Sequence, residues 1–161
     1  MRTAIILLIL VLALLNELTV KSADKNEIAE YVTVIARDYG ISPEFVCAVI
    51  QTESSWRADV TNGNCIGLMQ VNPNCHKDRM ERIATDYGFE GEDLTNPYFN
   101  VTVGIDYLCE LFEEYEEPSY VLDVYNGNSK AKKNFEQGKI SSYAKKVLDL
   151  AYEMELENAD Y

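Results

Sequence analysis

Histidine is almost missing from this sequence, since its 161 residues contain only His76. Any Ser-His or Cys-His nucleophile system would need that one residue, which directly follows Cys75. Adjacent residues rarely align as nucleophile and base, so we expect His76 to be a surface or capping residue. A zinc site would have to be built from one histidine and four cysteines that lack CxxC spacing. Histidine-based catalysis and metal binding are therefore disfavoured.

The sequence also lacks glycine-rich phosphate motifs and is poor in positive charge. Neither GxGxxG nor GxxxxGK[ST] occurs, so no cofactor is expected. Lys and Arg number 14 against 27 Asp and Glu, which gives a formal net charge of -13, and the longest basic cluster is Lys130-Ala131-Lys132-Lys133. Such a surface repels phosphate backbones and anionic membranes. We therefore expect no nucleic-acid partner and interpret the acidity as favouring solubility.

One long apolar run occurs, from Ala4 to Leu15, directly after Met1-Arg2-Thr3. It is short for a membrane-spanning helix, and with the small-residue site near Ser22 it is typical of a signal peptide. We predict a signal peptide, or an uncleaved anchor, at residues 1–22 and one domain at residues 23–161. The domain would then be extracellular or associated with the cell wall, monomeric, and in contact with a membrane only through an uncleaved N-terminal segment.

The four cysteines allow two disulfides in three pairings, which the sequence does not decide. Cys65 and Cys75 bracket a loop that contains glycine, asparagine and proline, whereas Cys47 and Cys109 fall within predicted helices. In an exported chain a bond between Cys65 and Cys75 would close a short loop. We predict this bond and leave the pairing of Cys47 and Cys109 open.

Helical spacing of apolar residues dominates the rest of the chain. Asp24 and Ser42-Pro43 are typical helix starts, and Asn96-Pro97 and Pro118 have the same character. Further helices are predicted around residues 80–87 and from Ser142. Residues 57–75 have no helical period and are predicted to form an ordered loop, with a small hairpin around Asn62-Gly63. The predicted class is all-α, in a single domain.

Glu53 is the acidic residue whose position indicates chemistry. It follows Ile50, Val49 and Val46 by three, four and seven residues and so shares their apolar helix face. A carboxyl group turned inward loses hydration, which raises its pKa and keeps a proton available for glycosidic cleavage. By position alone, a solvent-facing glutamate at a frayed helix end fits equally well.

The residues around and after Glu53 decide between these alternatives by resemblance. Glu53-Ser54 closes a helix and is followed by Gly67-Leu68-Met69-Gln70, then Asn96-Pro97, Tyr125-Asn126-Gly127 and a final helix with Tyr143. This ordered set resembles the catalytic signature of soluble-type lytic transglycosylases and goose-type lysozymes, over roughly residues 26–152. The resemblance implies a lysozyme-like helical domain that binds the glycan strands of peptidoglycan.

The resemblance also implies roles for individual residues. Glu53 would be the acid/base, and the sugar cleft would be lined by Ser54, Gly67, Met69, Gln70, Tyr125 and Asn126. Amide side chains suit N-acetyl and hydroxyl groups, and a tyrosine ring can contact a sugar face. Gly67 would allow close approach of the backbone to the ligand. For Met69, core packing is an equally good interpretation.

Two outcomes of cleavage remain open on the sequence. A transglycosylase uses one glutamate and forms a 1,6-anhydro end, whereas a goose-type lysozyme hydrolyses the same bond with help from further acids. Asp59 is the one acidic residue between Glu53 and Gly67, which favours the transglycosylase. A catalytically idle wall-binding module is the alternative from another class, and retention of Glu53 argues against it.

Overall fold

The computed structural model describes residues 24–159, so the predicted signal peptide lies outside the described part of the chain. Within that part, helices account for nearly all the regular structure. The elements in chain order are α1 (Lys25–Asp38), α2 (Pro43–Glu53), β1 (Thr61–Asn62), β2 (Cys65–Ile66), α3 (Lys77–Tyr87), α4 (Pro97–Tyr115), α5 (Pro118–Tyr125), α6 (Ala131–Glu136) and α7 (Ser142–Ala159). The predicted all-α class is confirmed.

The predicted helix starts are occupied by side chains that satisfy free backbone amides. Asp24 and Glu27 form a reciprocal capping box at the start of α1. The Ser42 hydroxyl accepts a hydrogen bond from the Phe45 amide at the start of α2, and Asn96 does the same for two amides of α4. Each cap therefore fixes where its helix begins.

Helix α4 runs through the centre of the domain, with an unbroken buried stretch from Phe99 to Asp106. A helix that is buried on all sides must be covered by neighbours, and α1, α3 and α5 all pack against it. Its buried polar residues have partners: the Thr102 hydroxyl pairs with the Tyr31 hydroxyl at 2.8 Å. The Asp106 carboxylate accepts a hydrogen bond from Arg82 at 2.6 Å. Helix α4 is thus a fixed support for the elements around it.

Helix α2 is held between α1 and α7, and the contact with α7 is the more extensive one. Five of its eleven residues are buried, and its apolar residues form part of a single core. Helix α5 packs against α4, α6 and α7. The C-terminal end of α2 therefore lies beside the N-terminal part of α7.

The loop that follows α2 contains the predicted hairpin. Strands β1 and β2 are antiparallel, with Asn62 opposite Cys65, so Gly63 and Asn64 form the turn. Helix α6 was not predicted, because six residues are too few to show a helical period. No helix within residues 24–159 is long and apolar enough to cross a membrane.

Candidate active site

Glu53 is the last residue of α2, and its side chain is partly buried. The Tyr143 hydroxyl donates a hydrogen bond to Oε1 of Glu53 at 2.5 Å. Burial raises the pKa of the Glu53 carboxyl group, while the bond from Tyr143 and the charge of Lys146 oppose that rise. In the structure, Glu53 is therefore turned inward and is not a solvent-facing residue at a frayed helix end. The carboxyl group is poised to hold a proton.

Tyr143 is a site residue that had no assigned role in the sequence interpretation, where it only marked the closing helix. It lies in the first turn of α7, ninety residues after Glu53 in the chain. Burial and the nearby Glu53 charge raise the pKa of the Tyr143 phenol far above its ordinary value. Tyr143 therefore stays protonated and acts as a hydrogen-bond donor. Only its helical spacing could be read from the sequence, and spacing alone does not show which tyrosine reaches Glu53.

The backbone turns sharply directly after Glu53. Ser54 caps the helix, and Ser55 and Trp56 adopt positive φ angles of 53° and 66°. Non-glycine residues with positive φ are costly and cluster at functional sites. Ser54 is 2% exposed and its hydroxyl donates to the Ile50 carbonyl at 3.2 Å. Ser54 therefore supports the helix end, and its expected place in the sugar cleft stays a prediction.

The segment after the hairpin is held by Asn100 of α4. The Asn100 side chain accepts a hydrogen bond from the Met69 amide at 2.8 Å and donates to the Ile66 and Leu94 carbonyls. Gly67 has a φ of 81°, and a β-carbon on it would lie 2.3 Å from Nδ2 of Asn100. The position of Asn100 thus requires a glycine here, and the predicted close approach of the Gly67 backbone to a ligand stays a prediction.

Met69 belongs to the core, as one of its two interpretations expected. Its side chain is 0% exposed and lies against Gly104, where an added β-carbon would come within 2.5 Å of the sulfur. The Met69 carbonyl accepts a hydrogen bond from the Tyr125 hydroxyl at 2.7 Å. Met69 therefore connects the loop to α4 and α5, and its predicted contact with sugar stays a prediction.

The remaining predicted site residues come together around one cavity of about 440 Å³. Gln70, Tyr125 and Asn126 line it, and Tyr107 and His76 extend its wall. The rings of Tyr107 and Tyr125 have centroids 5.4 Å apart. Glu53 does not line this cavity but lies near residues that do. Burial raises the pKa of the Tyr125 phenol, and the charge of Glu53 adds to that rise. Aromatic rings beside amide groups suit a saccharide.

Gln70 is held in place by the loop that it belongs to. Its side-chain amide donates to the carbonyls of Gly67 at 2.8 Å and Val60 at 3.1 Å, and its φ is 49°. Both donors are directed at the backbone, so the side-chain oxygen is left as an acceptor at the cavity. Gln70 is therefore suited to accept a hydrogen bond from an N–H or O–H of a ligand.

Cys65 and Cys75 both line the cavity and are free thiols in the structure. Burial raises the pKa of the Cys65 thiol, and the charges of Glu53 and Cys75 add to the rise. Their predicted disulfide is not formed here and stays a prediction. His76 does not cap α3 with its side chain. Its ring packs on Tyr107 at 4.4 Å.

A helical domain with a partly buried, hydrogen-bonded glutamic acid beside a polar, aromatic cavity has the site expected of a glycosidase. The sequence profile described as the transglycosylase SLT domain matches residues 30–147. The chain therefore belongs to the transglycosylase SLT domain family. The predicted family is confirmed, and so is the enzyme class that it names, lytic transglycosylase.

Individual proteins also resemble the chain, although their sequence identity to it is low. The X polypeptide of Escherichia coli is 28% identical over 127 residues, which cover 75% of this chain and 72% of that protein. The structure of an inactive mutant of the lytic transglycosylase Slt from Pseudomonas aeruginosa matches with a TM-score of 0.63 and 18% identity, covering 80% of this chain and 24% of that one. The 70 kDa soluble lytic transglycosylase of Escherichia coli matches with a TM-score of 0.59 and 19% identity, covering 76% and 23%.

These two solved structures establish the fold of the domain. The chain spans about a quarter of the length of either enzyme. The predicted lysozyme-like helical fold is thereby confirmed.

Proposed function

We propose that this chain cuts peptidoglycan at the β-1,4 bond between N-acetylmuramic acid and N-acetylglucosamine, with Glu53 as the single acid/base. The observation that carries the proposal is the Glu53 carboxyl group, which is partly buried, bonded to Tyr143 and adjacent to the cavity of Gln70, Tyr125 and Asn126. Family membership supports the same substrate class. A secreted or wall-associated location follows from this substrate.

The proposed reaction uses Glu53 twice. The protonated carboxyl group first gives its proton to the leaving glycosidic oxygen, and burial favours the protonated starting state. The resulting carboxylate then takes the proton from the 6-hydroxyl of N-acetylmuramic acid. That hydroxyl oxygen attacks the anomeric carbon and closes a 1,6-anhydro ring. Glu53 returns to its protonated form without any water being consumed.

The surroundings of Glu53 favour ring closure over hydrolysis. A hydrolase of the inverting type needs a second carboxylate to activate a water molecule. Asp59, the acid nearest in sequence within the following loop, is exposed and has no hydrogen bond to another side chain of the described residues. Glu53 itself is bonded to a tyrosine that cannot serve as a base at neutral pH. A goose-type hydrolase remains the second candidate, with Asp59 as its base.

The experiment that tests the proposal compares three proteins on purified cell walls. The Glu53→Gln variant keeps the shape of the side chain and can still accept the Tyr143 bond, but it has no proton to give. We expect it to bind walls and to leave their turbidity unchanged, while the parent clears them. Glu44→Gln changes a partly buried acid at the start of the same helix, at the opposite end from Glu53, and should behave as the parent does. Clearing by Glu53→Gln would refute the catalytic assignment, and a parent that binds without clearing would support the idle wall-binding module.

A further inference from the structure

Positive charge is concentrated in one part of this acidic chain. The lysine segment, residues 130–146, contains six of the nine lysines of the sequence and one acid, Glu136. The segment therefore carries a formal charge of +5, because six positive charges oppose one negative charge, in a chain whose total is -13.

Both ends of the lysine segment adjoin the candidate active site. It begins three residues after Gly127, which lines the cavity with Asn126. Near its other end, Tyr143 donates its hydrogen bond to Glu53, and Lys146 lies close enough to oppose the rise in the pKa of Glu53. The segment therefore forms a border of the cleft.

The lysine segment has a defined structure that presents its charges to solvent. The Asn134 side chain donates to the buried Asp123 carboxylate at 3.1 Å, and α6 packs against α5. All six lysines are exposed. Within residues 24–159, an ion pair is formed by one of them, Lys145 with Asp149. The other five lysines are therefore available to a ligand.

We propose that the lysine segment is a docking surface for the carboxylates of the peptide stems that a peptidoglycan strand carries. This inference rests on the proposed function, since the strand that lies across Glu53 must continue past the border of the cleft. A chain of charge -13 would otherwise repel a carboxylate-bearing polymer. The lysines reverse that repulsion at the place where the strand leaves the cavity.

An anionic membrane is a poorer match for this surface. Helix α6 has six residues, which is too short for a helix that lies in a membrane interface. Its exposed aromatic residue, Phe135, is stacked on Tyr120 with a centroid separation of 4.8 Å and is therefore not free to insert. The adjacency to the cleft favours the strand.

The test measures binding to purified walls in the Glu53→Gln background, so that the walls are not digested. Lys132→Gln with Lys133→Gln removes two charges from the segment. Arg37→Gln with Lys77→Gln removes two exposed charges outside the segment, one of them in a surface ion pair with Glu81, and is the control. We expect the first pair to bind roughly two- to tenfold more weakly at low salt, because exposed ion pairs contribute modestly. The control pair should bind as the parent does, and the difference should vanish at high salt.

Two treatments of the walls identify the source of the negative charge. Amidation of wall carboxyl groups with carbodiimide and ammonia should abolish the difference between the two pairs. Removal of phosphate polymers with hydrofluoric acid should leave it intact. Loss of the difference after the second treatment would overturn the proposal in favour of a phosphate polymer. The protein should not bind vesicles of phosphatidylcholine and phosphatidylglycerol. Vesicle binding that the Lys132→Gln and Lys133→Gln pair weakens would overturn the proposal in favour of a membrane.

Failure of this inference can be told apart from failure of the proposed function. Both lysine variants, made on the otherwise unchanged chain, should cleave short glycan fragments without peptide stems at the parent rate. Equal wall binding by both pairs, with a parent that cleaves walls, would overturn the docking surface alone. A parent that cleaves neither substrate would refute the proposed function.

Discussion

The pairing of Glu53 with Tyr143 combines two opposing effects on one carboxyl group. Burial raises the pKa of Glu53, and the hydrogen bond from the Tyr143 hydroxyl opposes this rise by stabilising the carboxylate. A group that must give a proton and later take one back needs a pKa between these extremes. The same bond also restricts the orientation of the carboxyl group, so Tyr143 is a positioning residue.

Replacement of Tyr143 by phenylalanine separates these roles. We expect kcat on cell walls to fall roughly ten- to a hundredfold, because a misplaced acid loses alignment with the leaving oxygen. The pKa of Glu53 should rise without the hydrogen bond, so the alkaline limb of the pH–rate profile should move to higher pH. Tyr152→Phe, on the exposed side of the same helix, is the control. An unchanged pH profile in Tyr143→Phe would contradict the positioning role.

Burial of Glu53 also has a consequence for stability. Its pKa is higher in the folded chain than in the unfolded chain, so the contribution of this group is fully present below the unfolded pKa. It is lost as the pH rises through the folded pKa. Glu53→Gln remains neutral throughout. The variant should therefore be more stable than the parent at about pH 8 and similar to it at about pH 4. Denaturant unfolding at both pH values checks this, and a difference independent of pH would refute it.

The central helix α4 holds the loop after α2 in place. Asn100 satisfies three backbone groups of neighbouring segments, and Gly104 leaves space for Met69. Buried amide side chains are tolerated when their hydrogen bonds are made. The Tyr125 hydroxyl then joins the same loop to α5. Hydrogen bonds of Asn100 and Tyr125 therefore hold this part of the cavity wall against α4 and α5.

Gly67→Ala tests this support. The new methyl group would overlap the Asn100 side chain and the Leu94 carbonyl, in addition to the strain of a positive φ. We expect a loss of about 3 kcal/mol or more in the free energy of unfolding. Gly88→Ala is the matched control, with a φ of 71° and nothing within 4 Å of the added carbon. It should cost only about 1–2 kcal/mol, from the backbone conformation. Equal losses in the two variants would show that Asn100 does not require Gly67.

The helix starts and the hairpin could be predicted because their signals are local. Ser42-Pro43 and Asn96-Pro97 act within one turn, and Asn62-Gly63 within one hairpin. The burial of Gly67, Met69 and Ser54 could not be predicted from local signals. Their burial depends on what lies against them, and Asn100 and Gly104 are more than thirty residues distant from the loop they contact. A family motif shows that a residue matters without showing which way it points.

In this acidic domain the candidate catalytic residue, Glu53, lies beside the strongly basic lysine segment, residues 130–146. The order of the motifs along the chain allowed the family to be recognised, because α2, α4, α5 and α7 each carry one of them. The lysine segment is apparent in the sequence, whereas its position beside Glu53 depends on the fold, in which Tyr143 reaches Glu53. The fold therefore places the proposed docking surface beside Glu53, which lies far from it in the sequence.

Glu53 is proposed to serve alone as acid and base, and the chemical structure of the product distinguishes this mechanism from hydrolysis. Walls digested by the parent should release fragments that end in 1,6-anhydro-N-acetylmuramic acid, lighter by one water than hydrolysis products and unchanged by borohydride. Mass spectrometry before and after borohydride treatment distinguishes the two products, with Glu53→Gln as the blank. A dominant population of fragments that gain two hydrogens would contradict the claim and indicate a hydrolase, in which Asp59→Asn should then abolish cleavage.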